Sequence, residues 1–473
     1  MNKRTIFITL AIVCGIFGNI QAQISYTPVS VNYVNLSDNA IVTGQPVKTE
    51  KLKIQPSEKA ESPIEIKLNE IINSNLSGIG GAFNEQGGEA FMSLNKKDQK
   101  KLAKNLFNDK KGIGFSLCRT AVGSSDFGLG AYSYSETPDD YDMKYFSVAR
   151  DEKSVIPFIN AAYSQNPYLK MFASPWSPPG WMKYSGKMDG GKKDKANNKL
   201  KADPKIYDAY ALYFAKYVQE YAKNGIQINR LVIQNETDMN PSYPGCDMSP
   251  EQMAELAFEH IRPAFKKAGV KTELWAGTFR GFRKDAEKFL TLKGGETIDG
   301  IGLQYCGRSQ IKSLNSDYPD MNFMHTEGRC ENGKNSMEQA RKRFGEVSMW
   351  LNGGCGNFCY WNIALNEESK SAWGWKQNSL IKIDRQAKTV TYNPDYAPIA
   401  LLSKFIRPGD KSIKTVAPDK VDALAVCNDK QLIVFLQNDA DTIATQQLKI
   451  ADKFYDVELP ATSLCAFVFK AGK

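Results

Sequence analysis

Histidine is nearly absent from this chain. Its 473 residues contain two, His260 and His325. A metal centre built on several imidazoles is thereby excluded, and a histidine-based triad has little to draw on. Cysteine is sparse as well. Nine occur, and setting aside Cys14 in the leader leaves residues 118, 246, 306, 330, 355, 359, 427 and 465. So few cannot staple a chain of this length, and the fold must rest on its core. Cys355-Gly-Asn-Phe-Cys359 has no second pair at zinc-finger spacing. Cys118, Cys427 and Cys465 lie in apolar runs and read as buried thiols. Charge of one sign is not concentrated either: 61 Lys+Arg against 52 Asp+Glu leave a formal +9. No long basic run interleaved with aromatics occurs, so nucleic acid is not favoured as a partner. Past the first twenty residues no stretch is apolar enough for a membrane span.

The amino terminus does carry an apolar run. Lys3 and Arg4 precede residues 6–18, and Asn19-Ile20-Gln21-Ala22 follows. A basic head, a short apolar run and a small residue at the exit predict a signal peptide over 1–22. The expected location is the periplasm, the cell surface or the medium. Val13 is bulky where a lipoprotein signal wants a small residue before Cys14, which argues against lipidation.

From about residue 78 the chain cycles between short apolar runs and amphipathic stretches. The runs cover 79–83, 113–119, 168–174, 230–235, 272–276, 298–304, 321–326 and 357–361. Helix-like segments lie between them, at 96–107, 207–221, 250–267 and 336–351, with Ser249 and Asn335 as N-caps. In 207–221 the residues Tyr207, Tyr210, Ala211, Phe214, Tyr217, Val218 and Tyr221 form one stripe at helical spacing. Eight strands separated by helices predict an α/β fold, a (β/α)8 TIM barrel, with a doubly wound open sheet as the structural rival. From Lys382 onward short alternating segments at 388–392, 421–427, 431–437 and 463–469 read as antiparallel strands. The expected layout is a barrel over 78–376 and a smaller all-β sandwich over 377–473, with part of 23–77 joining the sandwich. Residues 186–201, rich in Lys, Gly and Asn, read as a solvated loop.

A barrel places its chemistry at the carboxyl ends of its strands. Glu236 and Glu327 end the fourth and seventh strands, on opposite sides of the ring. Two acids facing across one mouth suit glycoside cleavage: one protonates the leaving oxygen while the other works at the anomeric carbon. A separation of about 5–5.5 Å makes the second a nucleophile, with retention of configuration. Trp176, Trp181, Tyr305, Trp361, Trp373 and Trp375 surround these ends, and aromatic faces stack on sugar rings. Trp181, beside Pro178-Pro179-Gly180, could equally anchor a stiff loop. Gly78-Ile79-Gly80-Gly81 fails as a dinucleotide fingerprint, because Phe83 stands at its third glycine.

Ordered motifs carry a family resemblance. They are Gly80-Gly81-Ala82-Phe83, Leu117-Cys118-Arg119 with Ser125-Asp126-Phe127, and Thr137-Pro138-Asp139-Asp140. They continue through Ala173-Ser174-Pro175-Trp176-Ser177-Pro178-Pro179-Gly180-Trp181, Gln234-Asn235-Glu236, Trp361-Asn362-Ile363-Ala364-Leu365-Asn366 and Ser403-Lys404-Phe405-Ile406-Arg407-Pro408-Gly409. The chain resembles glycoside hydrolase family 30, the family of glucosylceramidases and endo-β-1,6-glucanases. The resemblance implies a retaining mechanism with Glu236 as acid/base and Glu327 as nucleophile. It implies that Asn235 meets the sugar 2-hydroxyl, that Asp126, Trp176 and Trp361 line the glycone side with Tyr305 and Asn366 nearby, and that Arg119 sits beneath the carboxylates and keeps Glu327 ionised. It implies no metal or organic cofactor, and a β-glucan or β-glucoside as substrate. Two departures stand out. Gln304-Tyr305-Cys306 replaces the usual His-Trp-Tyr, so Cys306 takes the place of a tyrosine expected to touch the nucleophile. Thr237 replaces the usual proline after the acid/base. The alternatives to an endo-acting glucanase are an exo-acting glucosidase or glucosylceramidase, and a non-catalytic glycan binder on the same scaffold.

Overall fold

A computed structural model describes residues 25–50, 53–59, 61–191, 196–281 and 284–472. The leader predicted over 1–22 lies outside the described residues. Eight parallel strands run in sequence order around one sheet: Gly78–Phe83, Leu117–Ala121, Lys170–Ser174, Ile228–Val232, Glu273–Arg280, Gly300–Gln304, Phe323–His325 and Asn357–Asn362. The eighth strand pairs with the first, as a barrel requires. All eight expected strands are present, within a few residues of their expected bounds.

Between the seventh and eighth strands side chains fill a gap in the ladder, flanked by backbone bonds from the Gly356 amide to the Phe323 carbonyl and from the Gly328 amide to the Cys359 carbonyl. Asn357 Oδ1 accepts from the His325 amide at 3.1 Å, and its Nδ2 donates to the His325 carbonyl at 2.9 Å. The Cys359 amide donates to His325 Nδ1 at 3.2 Å. The imidazole is wedged between Phe358 and Trp350, at 4.4 and 4.3 Å.

The helices explain their own sequence. Pro204–Lys223 is capped by Asp203 and buries Tyr207, Tyr210, Tyr213, Tyr217 and Tyr221. Ser249 caps Pro250–Glu255 as expected. That helix widens into a π turn over Leu256–Ile261 before Pro263, whose ring and missing N–H disrupt regular α geometry. The 336–351 segment is two helices, Met337–Arg341 and Arg343–Asn352. Its cap is Ser336 and not Asn335, because Ser336 and Gln339 form a capping box.

A second sheet has ten strands and is antiparallel except for one pair. The segment before the barrel supplies four of them: Tyr26–Asn35, Lys48–Glu50, Ile54–Ser57 and Ile64–Asn73. The tail supplies the rest, from Lys411–Val416 to Ser463–Ala471. The ends of the sheet fold onto each other, where Tyr455 meets Phe469 and its hydroxyl donates to the Tyr26 carbonyl at 3.1 Å. Side-chain alternation divides the strands between two cores. Leu432, Val434 and Leu436 face the core within this sheet, while Ile433 and Phe435 pack into the barrel core. The same split holds for Cys465, Phe467 and Phe469 against Leu464, Ala466 and Val468.

Three expectations change, two of them in the tail. Residues 388–392 do form a strand, Thr389–Tyr392, but it joins Ala364–Asn366 and Ile381–Asp384 in a small separate sheet. Tyr396–Phe405 is a buried helix within the stretch expected to be all β. The described part of 186–201 is not simply solvated, since Met188, Asn198 and Leu200 are buried.

Two buried groups pull the acid response of the fold in opposite directions. Burial drives the His325 pKa down to about 3, so it stays neutral when folded. The unfolded chain takes up that proton below about pH 6.5, so His325's contribution is complete above 6.5 and is lost as pH falls toward 3. Asp151 acts oppositely. It accepts hydroxyl bonds from Tyr132, Tyr134 and Tyr221 at 2.5 Å each, yet burial raises its carboxyl to about 6. That favours the folded state as pH falls from about 6 to 4. The check is therefore a difference. Urea unfolding of wild type and His325→Gln at pH 7 and pH 4.5 should give the wild type an extra loss of about 2–3 kcal/mol at the lower pH. Equal losses in the two proteins would remove His325 from the acid response.

Candidate active site

Glu236 stands just past the fourth strand and Glu327 just past the seventh. Both are almost wholly buried, at 7% exposure. One guanidinium links their supports. Arg119, fully buried on the second strand, donates from Nη1 to Glu327 Oε2 at 2.8 Å and from Nη2 to Asn235 Oδ1 at 2.7 Å. Nε and Nη2 both reach Ser174 Oγ, and Nη1 also meets the Thr326 carbonyl. The cation lies over Trp176 and Trp361, 4.5 and 5.4 Å from their centroids. An anion, fixed hydrogen bonds and two ring faces compensate its burial. Arg119 therefore lies behind the pocket wall, beside Glu327 and Asn235.

The backbone at the site is unusual. Glu236 and Tyr305 hold φ of 43° and 51°, a left-handed region that residues other than glycine rarely adopt and that clusters at functional sites. The Glu236 amide donates to Thr278 Oγ1 at 2.9 Å. Gly277 before it has φ 109°, and a Cβ there would fall 2.4 Å from the Gly302 carbonyl oxygen.

The 304–306 departure resolves in an unexpected way. Tyr305 supplies the tyrosine contact itself, with its hydroxyl donating to Glu327 Oε1 at 2.7 Å. Cys306 points away, with its thiol against the Gln304 carbonyl. Gln304 Oε1 accepts from Thr278 and Thr326, which turns Nε2 toward Glu236 Oε1 at 3.1 Å. An amide holds that bond at every pH, which an imidazole would not.

Glu236 has further partners that the strand-end search missed. Arg280 at the end of the fifth strand donates to Oε1 at 3.0 Å, and Tyr243 reaches Oε2 at 3.4 Å. Burial, then the charge of Glu327, pushes the Glu236 carboxyl up to about 7 against the pull of Arg280. Burial also raises Glu327, opposed by Arg119 and the Tyr305 hydroxyl. Asp126 is pushed well above the carboxylate range by burial and by both glutamates, and its Oδ1 has no partner among the described residues.

The aromatics divide into two sets. Trp176 and Trp361 stack on each other at 5.0 Å and are buried, so they form a closed wall and not an open platform. Trp361 Nε1 has no partner among the described residues. Trp373 and Trp375 are half-exposed and gather around Tyr243, at 6.4 and 5.0 Å. Trp181 anchors its loop through Nε1 to the Ser135 carbonyl. Asn366 closes a turn with its side-chain oxygen, which accepts from the Glu368 and Ser369 amides.

Known proteins match this arrangement. The model of the glycosyl hydrolase family 30 TIM-barrel domain fits residues 76–269. Putative glucosylceramidase 1 of Caenorhabditis elegans is 35% identical over 412 residues, 80% of this chain and 77% of its own. An endo-1,6-β-D-glucanase of Trichoderma harzianum is 32% identical over 208 residues, 42% of each chain. The crystal structure of SrfJ from Salmonella typhimurium superposes with a TM-score of 0.83 at 23% identity, over 93% of this chain and 99% of that one.

Proposed function

This chain belongs to glycosyl hydrolase family 30, and from that membership we propose that it is an exported, retaining β-glycosidase that cuts β-1,6-glucan internally. The observation that carries the reading is the proximity of two buried acids: the charge of Glu327 acts on Glu236, and Arg119 holds both Glu327 and Asn235, the residue before Glu236. Glu327 attacks the anomeric carbon and forms a glycosyl ester as the exocyclic C–O bond breaks. Glu236 gives its proton to the departing oxygen, then takes one from the water that opens the ester. A carboxyl poised at about 7 suits both tasks. Asn235, its oxygen held by Arg119, turns Nδ2 to the 2-hydroxyl. Asp126 Oδ1 and Trp361 Nε1 read the remaining hydroxyls of the same ring. Export rests on the leader over residues 1–22.

A second reading is an exo-acting glucosylceramidase-type enzyme. The 35%-identical relative favours it. One assay addresses both. The protein is incubated with β-1,6-glucan, an aryl β-glucoside and glucosylceramide, with product length and the first-formed anomer followed by NMR. Short β-1,6-linked oligosaccharides released first as the β-anomer are expected. Glucose released only from chain ends or lipid moves the assignment to the second reading. An α-anomer formed first would end the double-displacement scheme.

A further inference from the structure

Two clefts meet at one ion pair. The first, about 440 Å³, has Glu327 and Tyr305 at one end and passes over the helix Arg343–Asn352 to Arg308 and Asp422. The second, about 760 Å³, takes Arg308 and Asp422 as its edge and opens where the barrel meets the ten-stranded sheet. The same helix lies under both, with Gly345 and Met349 on the first and Ser348 and Asn352 on the second. Arg308 and Asp422 bridge at 3.2 Å.

The second cleft has a structural origin. Ile413 pairs with Ile71, but Lys414 pairs with Lys67, so residues 68–70 are looped out of the ladder. A bulge of this kind bends its strand and re-aims side chains. Glu70 turns to Lys414, and Ile71 is left 50% exposed at the cleft.

Its chemistry is that of a neutral, hydroxyl-rich ligand. Four cations and three acids line it, and the pairs Arg308–Asp422 and Lys414–Glu70 balance two of each. Little net charge remains to hold an anion. Asn315, Ser316, Thr415 and Lys312 offer donors and acceptors, and Ile71 with Val421 offers apolar surface. Asn352 Nδ2 is held by Ser348 and the Ala423 carbonyl, while its buried Oδ1 has no partner among the described residues. Mixed polar and apolar lining over a few hundred Å³ is what a specific ligand site requires.

We infer that this junction cleft is a distal glycan site, which holds further units of the same neutral β-glucan whose bond is cut at Glu236 and Glu327. The chain reaches it from the catalytic pocket past the Arg308–Asp422 bridge. The inference rests on the polymer reading above and extends it.

The test uses β-1,6-gluco-oligosaccharides of increasing length as probes. The full-length enzyme should show kcat/KM rising by roughly tenfold or more from the disaccharide to the longest chains, equivalent to 1.4 kcal/mol. Two variants should each abolish that gain. One is the double change Lys312→Ala with Asn315→Ala inside the cleft. The other is Gly345→Trp at the passage, where a Cβ would first meet the flexible end of Asp422 at 2.9 Å. Thermal unfolding checks that each variant folds, and the surface double change stands alone if Gly345→Trp does not. A length gain that survives in the folded variants overturns the distal site. A wild type that cuts the polymer with no length gain also overturns it and leaves the catalytic reading standing. A wild type that attacks only small glucosides overturns the polymer reading itself.

Discussion

Glu327→Ala should lose roughly 10⁵-fold or more of its turnover, and azide should restore part of it. The space left by the carboxylate admits a small anion, which attacks the anomeric carbon from the same side. The product is then the α-glycosyl azide, inverted relative to the substrate. The matching change at the other acid, Glu236→Ala, should give the β-azide. In that protein Glu327 still forms the ester, and azide opens it from the opposite face. NMR of the two azide products thus assigns both roles. An α-azide from Glu236→Ala would exchange them.

Glu236→Gln should lose about 10²–10⁴-fold on glucan. It should retain most of its ester-forming rate on an aryl glucoside whose leaving group departs without a proton. The pH profile adds a second signature. The acid form of Glu236 is required first, and its carboxyl sits at about 7. The wild-type kcat/KM should therefore fall as pH rises through roughly that value, because the fraction still protonated shrinks. In Glu236→Gln this alkaline limb should vanish, since an amide does not titrate there. Equal losses on both substrates, or an unchanged alkaline limb, would place the proton donor elsewhere. Arg280 and Gln304 bear on the same limb, because both hydrogen-bond Glu236 Oε1.

Much of this was legible in the residues. The period of apolar runs gave the eight strands, because each barrel strand is buried on both faces and short helices separate them. Glu236, Glu327, Asn235 and Arg119 were found because barrel chemistry collects at strand ends. What escaped depended on backbone conformation and on contacts distant in the chain. Motif alignment puts Cys306 where a tyrosine is expected, but a left-handed φ at Tyr305 delivers a hydroxyl to Glu327 from one position earlier. Tyr243 lies seven residues past Glu236 in a loop with no periodicity, and only the folded loop returns it to that carboxyl. Asn366 has a local role that its motif does not announce. Its oxygen holds a local turn on the Glu368 and Ser369 amides, a bond set by backbone geometry. The helix Tyr396–Phe405 was missed because it is buried nearly all round, which erases the polar face that marks a helix.

The strand Tyr26–Asn35 runs antiparallel to Ser463–Ala471, the last strand of the chain. The first described strand therefore has a near neighbour, Lys48–Glu50, on one edge and a strand distant in sequence on the other. Until that distant strand is in place, one edge of Tyr26–Asn35 stays unpaired. Apart from the pairing of its first and eighth strands, the barrel's ladder joins consecutive strands, so the two halves should form in a fixed order. A chain lacking Ser463–Ala471 should still protect the barrel strands from exchange with solvent, yet leave Tyr26–Asn35 open to protease. Loss of those residues would thus be felt first at the opposite end of the polypeptide.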